Sequence, residues 1–171
     1  MNLRSLLLAL TLILSSGAFA DAQTTIDTIY GDDVGDRFGE AVAFVGDLNH
    51  DGMADFAVGA PNDDDAGSNS GSVRVYSGFD RSVLFRWDGP SAGAMLGASV
   101  AGAGDVDLDG YDDVIAGAPG DGQALVYSGQ TGAVIYSIAP GGVGFFGTSV
   151  AGLGSVDGDA WPDFALSLIH I

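Results

Sequence analysis

The apolar positions of this chain alternate in short runs and form no helical stripe. Ala41-Val42-Ala43, Ser99-Val100-Ala101 and Ser149-Val150-Ala151 set small residues at period two, the spacing of a half-buried strand. One loop later each is followed by a second apolar run: Asp55 to Val58, Asp113 to Ala116 and Asp163 to Leu166. In the first two units Gly-Ala-Pro closes that run, and proline, which has no N–H to give to a ladder, ends the pairing there. A third pair of strands is predicted at SVRVYSG (Ser72 to Gly78) and QALVYSG (Gln123 to Gly129), and a fourth at Ser82 to Trp87 and Ala133 to Ile138. Each full unit thus predicts four short strands joined by Gly, Asn, Asp and Ser turns. Repeated four-stranded antiparallel sheets predict an all-β fold of β-propeller blades, incomplete, with two full blades and part of a third. Propellers typically close with about four to eight blades, so strand edges are expected to stay unpaired at each end.

Between the first two strands of each unit lies a run of carboxylates. The three stretches read FGEAVAFVGDLNHDGMADFAVGAP from Phe38, LGASVAGAGDVDLDGYDDVIAGAP from Leu96 and FGTSVAGLGSVDGDAWPDFA from Phe146. Their loops begin at Asp47, Asp105 and Ser155, 58 and 50 residues apart, and fixed spacing marks a stacking unit. Calcium takes six to eight oxygens at about 2.3–2.6 Å. A nine-residue loop can offer side-chain oxygens at positions one, three, five and nine and a backbone carbonyl at seven. In the first loop these are Asp47, Asn49, Asp51, Met53 (carbonyl) and Asp55; in the second, Asp105, Asp107, Asp109, Tyr111 (carbonyl) and Asp113. Gly52 and Gly110 stand at position six, where a sharp turn disfavours a Cβ. Helix–loop–helix calcium sites end instead on Glu at position twelve. Here position twelve is Val58 or Ala116, inside an apolar strand, so the cage belongs to a β-hairpin.

The third loop departs from this pattern. Ser155 stands at position one and Ala160 at position six, leaving Asp157, Asp159, Trp161 (carbonyl) and Asp163. A non-Gly residue held at positive φ costs on the order of 1 kcal/mol, so this loop is expected to bind weakly or not at all. The second loop, with four carboxylates against three plus a neutral Asn, is expected to bind tightest.

Composition agrees with a cation binder. The 171 residues carry 23 acidic side chains, of which only Glu40 is Glu, against five Arg and no Lys, for a net charge of -18. Such a charge argues against nucleic acid or an anionic membrane as partner. With no cysteine, neither disulfides nor thiolate metal sites arise. His50 and His170 are the two histidines; His50, at position four of the first loop, reads as an exposed loop residue. Neither a Ser-His-Asp set nor a Cys nucleophile can be assembled, so the chain reads as no enzyme. Asn62-Asp63-Asp64-Asp65 reads as a solvated loop.

The N-terminus reads as an export signal. Arg4 precedes an apolar core, Leu6 to Leu14, and Ala18-Phe19-Ala20 makes a small-x-small cleavage site before Asp21. The run is shorter than the roughly 20 residues of a membrane span. The divisions are residues 1–20 as signal peptide, 21–30 as outer strand of a preceding or closing blade (from Ile26 to Tyr30), 31–90 as repeat 1, 91–142 as repeat 2 and 143–165 as partial repeat 3. Residues 166–171, LSLIHI, stand where Val-Gly-Ala-Pro is expected and look like a translated sequencing adapter.

Phe38-Gly39, the Asp-x-Asn/Asp-x-Asp-Gly-x-x-Asp loop and Gly59-Ala60-Pro61 together resemble the FG-GAP repeat. Leu96-Gly97 is a conservative variant with its own Gly117-Ala118-Pro119, and Phe146-Gly147 lacks that ending. The resemblance covers roughly residues 31 to 165. The FG-GAP repeat builds the seven-bladed propeller at the head of integrin α chains and occurs in many exported bacterial proteins. The resemblance implies calcium-stabilised blades and extracellular adhesion or ligand binding. The expected function is a secreted or cell-surface (extracellular or periplasmic) calcium-binding module. Its ligand would be an extracellular protein or carbohydrate, with no nucleic acid and no membrane insertion after signal cleavage. Alternatives are an accessory propeller of a larger secreted hydrolase whose catalytic domain lies elsewhere, or a structural cell-surface repeat array.

Overall fold

The computed structural model describes residues 28–141 and 145–167. The export signal, Ile26, Asp27, His170 and most of the LSLIHI tail lie outside the described residues. Thr28 to Tyr30 carry no strand.

Ten strands form three antiparallel sheets without a helix among the described residues. The first sheet is β1 (Ala41–Gly46), β2 (Asp55–Ala60), β3 (Ser72–Tyr76) and β4 (Val83–Asp88) in sequential order. The second repeats it with β5 (Ser99–Gly104), β6 (Asp113–Ala118), β7 (Gln123–Tyr127) and β8 (Val134–Ile138). The third holds β9 (Val150–Gly154) and β10 (Asp163–Leu166). Every predicted strand pair is present, and β2 and β6 end immediately before Pro61 and Pro119. These are propeller blades, stacked face to face but not closed into a ring among the described residues.

Alternation sorts each strand between two cores. From β6 and β7, Val114, Ala116, Leu125 and Tyr127 pack on the first sheet, against Val45, Ala57, Val73, Val75 and Trp87. Their neighbours Ile115, Ala124 and Val126 pack on the third sheet with Val150, Phe146 and Phe164. The second sheet is therefore buried on both faces, which is why β6 has no polar residue after Asp113. Trp87 ties β4 to the next blade: its ring stacks on Tyr127 at 4.2 Å and its Nε1–H donates to Gly132 O at 2.8 Å. The opposite face of the first sheet exposes Val42 and Phe44, while their repeat equivalents Val100 and Gly102 turn toward the first sheet, Gly102 lying against the Phe44 and Val45 backbone.

The Phe-Gly and Gly-Ala-Pro motifs meet at the blade seam. Gly39, Gly97 and Gly147 have φ of 90°, 86° and 84°, the left-handed region that favours glycine. Their amides donate to the carbonyls of Gly59, Gly117 and Ser167 at 3.0, 3.0 and 3.1 Å. The same glycine then presses its own carbonyl onto the blade before it. A Cβ on Gly59 would stand 2.0 Å from Gly97 O, and one on Gly117 would stand 1.8 Å from Gly147 O. Glycine opens Gly-Ala-Pro because the next backbone occupies its side-chain space. The third sheet has Ser167 at this position, so its Cβ fills the space the other two leave free.

Gly117→Ala is expected to destabilise the chain by about 1–3 kcal/mol, the cost of forcing volume into a packed interface, with the second and third sheets parting first. Urea unfolding followed by Trp161 and Trp87 fluorescence measures it; an unchanged midpoint would show that the seam yields without cost.

Candidate metal centre

The hairpin loops β1–β2 and β5–β6 are built alike, and their carboxylates first brace the backbone. The carboxylate of Asp47 accepts the amides of Asp51 and Gly52 at 3.0 and 2.8 Å. Asp105 accepts those of Asp109 and Gly110, both at 2.9 Å. Gly52 and Gly110, at φ of 90° and 95°, turn their N–H groups inward as their position in the loop requires. Asn49 and Asp107 each accept the amide two residues on, at 3.0 and 3.2 Å. Asp51 and Asp109 do the same for Met53 and Tyr111, both at 2.9 Å. Short side chains bonding two residues ahead are Asx-turns, and a run of them curls a loop in the sense that brings successive carboxylates toward one centre.

The second loop achieves that convergence with three charges. Carboxylate oxygens of Asp105, Asp107 and Asp109 all lie within 4.8 Å of one another. Two unit charges about 4 Å apart repel by between 1 and 4 kcal/mol, depending on how far water screens them. Four amide bonds offset part of this, and a divalent cation would reverse its sign. The donor set, hard oxygens on a preformed curl, suits calcium. In the first loop Asn49 replaces one charge, and its Nδ2 donates to Asp51 Oδ2 at 2.8 Å, with Ser77 Oγ donating to the same oxygen at 3.0 Å. Asn49 first, and Met53 and Ser77 with it, hold the Asp51 carboxyl below its ordinary pKa.

Position nine is a different kind of group. Asp55 and Asp113 are fully buried. Asp55 accepts Leu48 N–H at 2.7 Å and Gly78 N–H at 2.9 Å, one on each oxygen; Asp113 accepts Val106 and Gly129 at 2.8 and 3.0 Å. Each carboxylate thus rivets the loop's second residue to the end of the third strand. Burial pushes the Asp113 carboxyl up to about 6, against the pull of those two amides. Each oxygen still keeps a lone pair that a cation could use.

In the third loop the expected strain at Ala160 does not arise, because Ala160 stays out of the left-handed region. The chain turns differently: Ser155 Oγ donates to Asp159 O at 2.9 Å, where the other loops have a carboxylate accepting two amides. Asp157 and Asp159 keep their Asx-turns to Asp159 N–H and Trp161 N–H, and Asp163 keeps the bond from Val156 N–H at 2.9 Å. Asp163 is only half-buried, with no third-strand amide on it among the described residues.

One residue differs from its sequence reading, and a second gains a contact. Asp63, read as solvated, is 2% exposed. It accepts Ser72 Oγ at 2.7 Å and Arg86 Nη2 at 3.4 Å, with the buried Arg74 3.7 Å away and bonded to Asp32. The signal was the two arginines at alternate strand positions, Arg74 and Arg86, paired across β3 and β4. His50 is an exposed loop residue, as read, and its ring lies parallel to the Tyr111 ring of the next blade.

The FG-GAP repeat family matches residues 38–76 and 96–136, which contain both complete loops. The chain carries two FG-GAP repeats. Integrin alpha-8 of Gallus gallus is 41% identical over 106 residues, 57% of this chain and 10% of the relative. Integrin alpha-IIb of Homo sapiens is 41% identical over 99 residues, 55% and 9%. Integrin alpha-V of Gallus gallus is 35% identical over 121 residues, 66% and 11%. The chain spans about a tenth of the length of these curated relatives. The third loop, from Ser155 to Asp163, lies outside the family-matched residues.

Replacing Asp113 by Asn tests the rivet apart from any ion. An amide side chain offers one oxygen to two N–H donors, so one buried donor loses its partner. The expected loss is about 1–3 kcal/mol, undiminished in excess chelator. Denaturant titration in EDTA reads it; a variant as stable as the parent there would confine Asp113 to a ligand's role.

Proposed function

We propose that this chain is a secreted calcium-binding β-propeller module for extracellular binding or adhesion, in which calcium is structural and not catalytic. The supporting observation is the convergence of Asp105, Asp107 and Asp109 on one centre within 4.8 Å, in a hairpin already curled to hold them. Asp105, Asp107, Asp109, the Tyr111 carbonyl and Asp113 would hold one ion. Asp47, Asn49, Asp51, the Met53 carbonyl and Asp55 would hold a second. The bound cation supplies positive charge that cancels carboxylate repulsion and pins each hairpin.

The residues themselves do the rest. Asx-turns set the curl, Gly52 and Gly110 close it, and Asp55 and Asp113 fasten it to the sheet. The first loop's Asn49 offers a neutral oxygen where the second loop has a carboxylate; the second is accordingly the tighter. In the third loop, Asp157, Asp159, the Trp161 carbonyl and Asp163 form a degenerate set, with Ser155 turned away toward the chain. Relatives named integrin alpha support an extracellular, non-enzymatic setting, with a protein or carbohydrate ligand. Among the described residues no helix is long and apolar enough to cross a membrane.

Isothermal titration with calcium is expected to show two ions per chain. Asp105→Ala is expected to remove the tighter and Asp47→Ala the weaker. Saturating calcium at about 100 times Kd adds roughly 2.7 kcal/mol per site, so chelation should lower Tm by several degrees. Absence of binding at millimolar calcium would refute the proposal, and equal residual affinities in the two variants would refute the ranking.

A further inference from the structure

The two complete loops touch each other across the blade seam. His50, at position four of the first loop, has its imidazole 4.2 Å from the Tyr111 ring with 6° between the planes. Tyr111 is position seven of the second loop, the residue whose carbonyl would be a ligand there. The side chain of Tyr111 therefore answers to one cage and its carbonyl to the other. His50 holds a left-handed φ of 57°, and its backbone is set by the Asx-turn and amide bonds that Asp47 and Asn49 make one and two residues beyond it.

A second contact lies beside the first. A Cβ on Gly46, the residue before the first loop, would sit 1.9 Å from Asp112 Oδ2, so the second loop's position eight lies directly on the first loop's entry. Asp112 is half-buried and faces His50, Asp47 and Asp105. The offset recurs at the next seam, where Gly104 lies against Pro162, again position eight. There positions four and seven are Leu108 and Trp161. The stacking of loop upon loop is thus a repeated feature of the seam, and the aromatic pair belongs to its first instance.

We infer that His50 is a positioning residue for the second cation site, coupling it to the first through the Tyr111 ring. This rests on the calcium reading above. Ordering the first loop fixes His50; the fixed imidazole holds the Tyr111 ring, and with it the orientation of the peptide that carries the position-seven carbonyl. Filling the first site therefore tightens the second, and by reciprocity filling the second tightens the first. His50 ligates neither ion.

The test is calcium titration of the whole chain by calorimetry, with single-site backgrounds to separate the sites. His50→Asn is the informative substitution, because Asn accepts a left-handed backbone as readily as His while losing the ring. It is expected to weaken the second site by roughly three- to tenfold, the range an aromatic pair supplies. In an Asp105→Ala background the same change should leave the first site within about twofold, a margin below the weakest aromatic pair. Asp47→Ala, which empties the first site, should weaken the second by a similar factor. His50→Tyr, which keeps a ring over Tyr111, should restore the parent's second-site affinity. An unchanged second site in His50→Asn, a first site weakened more than about twofold by His50→Asn in the Asp105→Ala background, or failure of His50→Tyr to restore affinity each overturns the inference. Two ions bound with His50→Asn indistinguishable from the parent sinks this coupling alone; no calcium bound by the parent sinks the calcium reading with it.

Discussion

A buried carboxylate shared between two backbone amides governs this architecture. Asp55 and Asp113 each join the start of a hairpin loop to the end of the third strand. Without that bond the loop would be a free nine-residue excursion, and its other carboxylates would have no fixed centre to face. Burying an ionised group is costly unless its oxygens are satisfied, and here each oxygen meets an amide. Burial pushes the Asp113 carboxyl up even against its two amides. A nearby divalent charge would complete the compensation, so the rivet and the cage favour each other.

The blade seam imposes the second constraint, and it works through backbone. Left-handed glycines bring the carbonyls of Gly97 and Gly147 into the space above Gly59 and Gly117. The two motifs are therefore halves of one contact repeated from sheet to sheet. The cores follow from it. Once the backbones are this close, the residues between sheets must be small or interdigitated, and Ala57, Ala116 and Ala124 lie fully buried among Val, Leu and Tyr. Close approach also brings successive loops into contact, which is how His50 reaches Tyr111.

Most of the fold was legible because period-two alternation and proline stops act locally. All ten strands stand where that pattern put them, within three residues at their ends. The curl of the acidic loops was legible for the same reason, since the spacing of turn-forming carboxylates is a property of one loop. What escaped depended on contacts between distant segments. Asp63 reads as a charged loop residue until β3 and β4 bring Arg74 and Arg86 beside it. His50 is exposed as read, but the ring it stacks on belongs to the next blade. At Ala160 the turn was assumed fixed by its neighbours, but with Ser155 in place of Asp no carboxylate captures the position-six amide, and the backbone has no reason to enter the left-handed region.

The lopsided acidic composition follows from the same physics. All but one of the 23 acidic side chains are Asp. A solvated surface would serve as well with Glu, so solubility does not account for the choice. The bonds do. Asp47, Asp51, Asp63, Asp64, Asp80, Asp105, Asp107, Asp109, Asp157 and Asp159 all accept backbone amides two to five residues ahead. One methylene lets a carboxylate reach back to its own turn; a second would carry the oxygens past it. The chain's charge is thus a by-product of using carboxylates as turn-formers. Where several turns follow one another the by-product becomes a concentrated negative centre. A cation placed there would offset the repulsion that this way of building hairpins creates, so the calcium reading and the acidic composition share one physical origin.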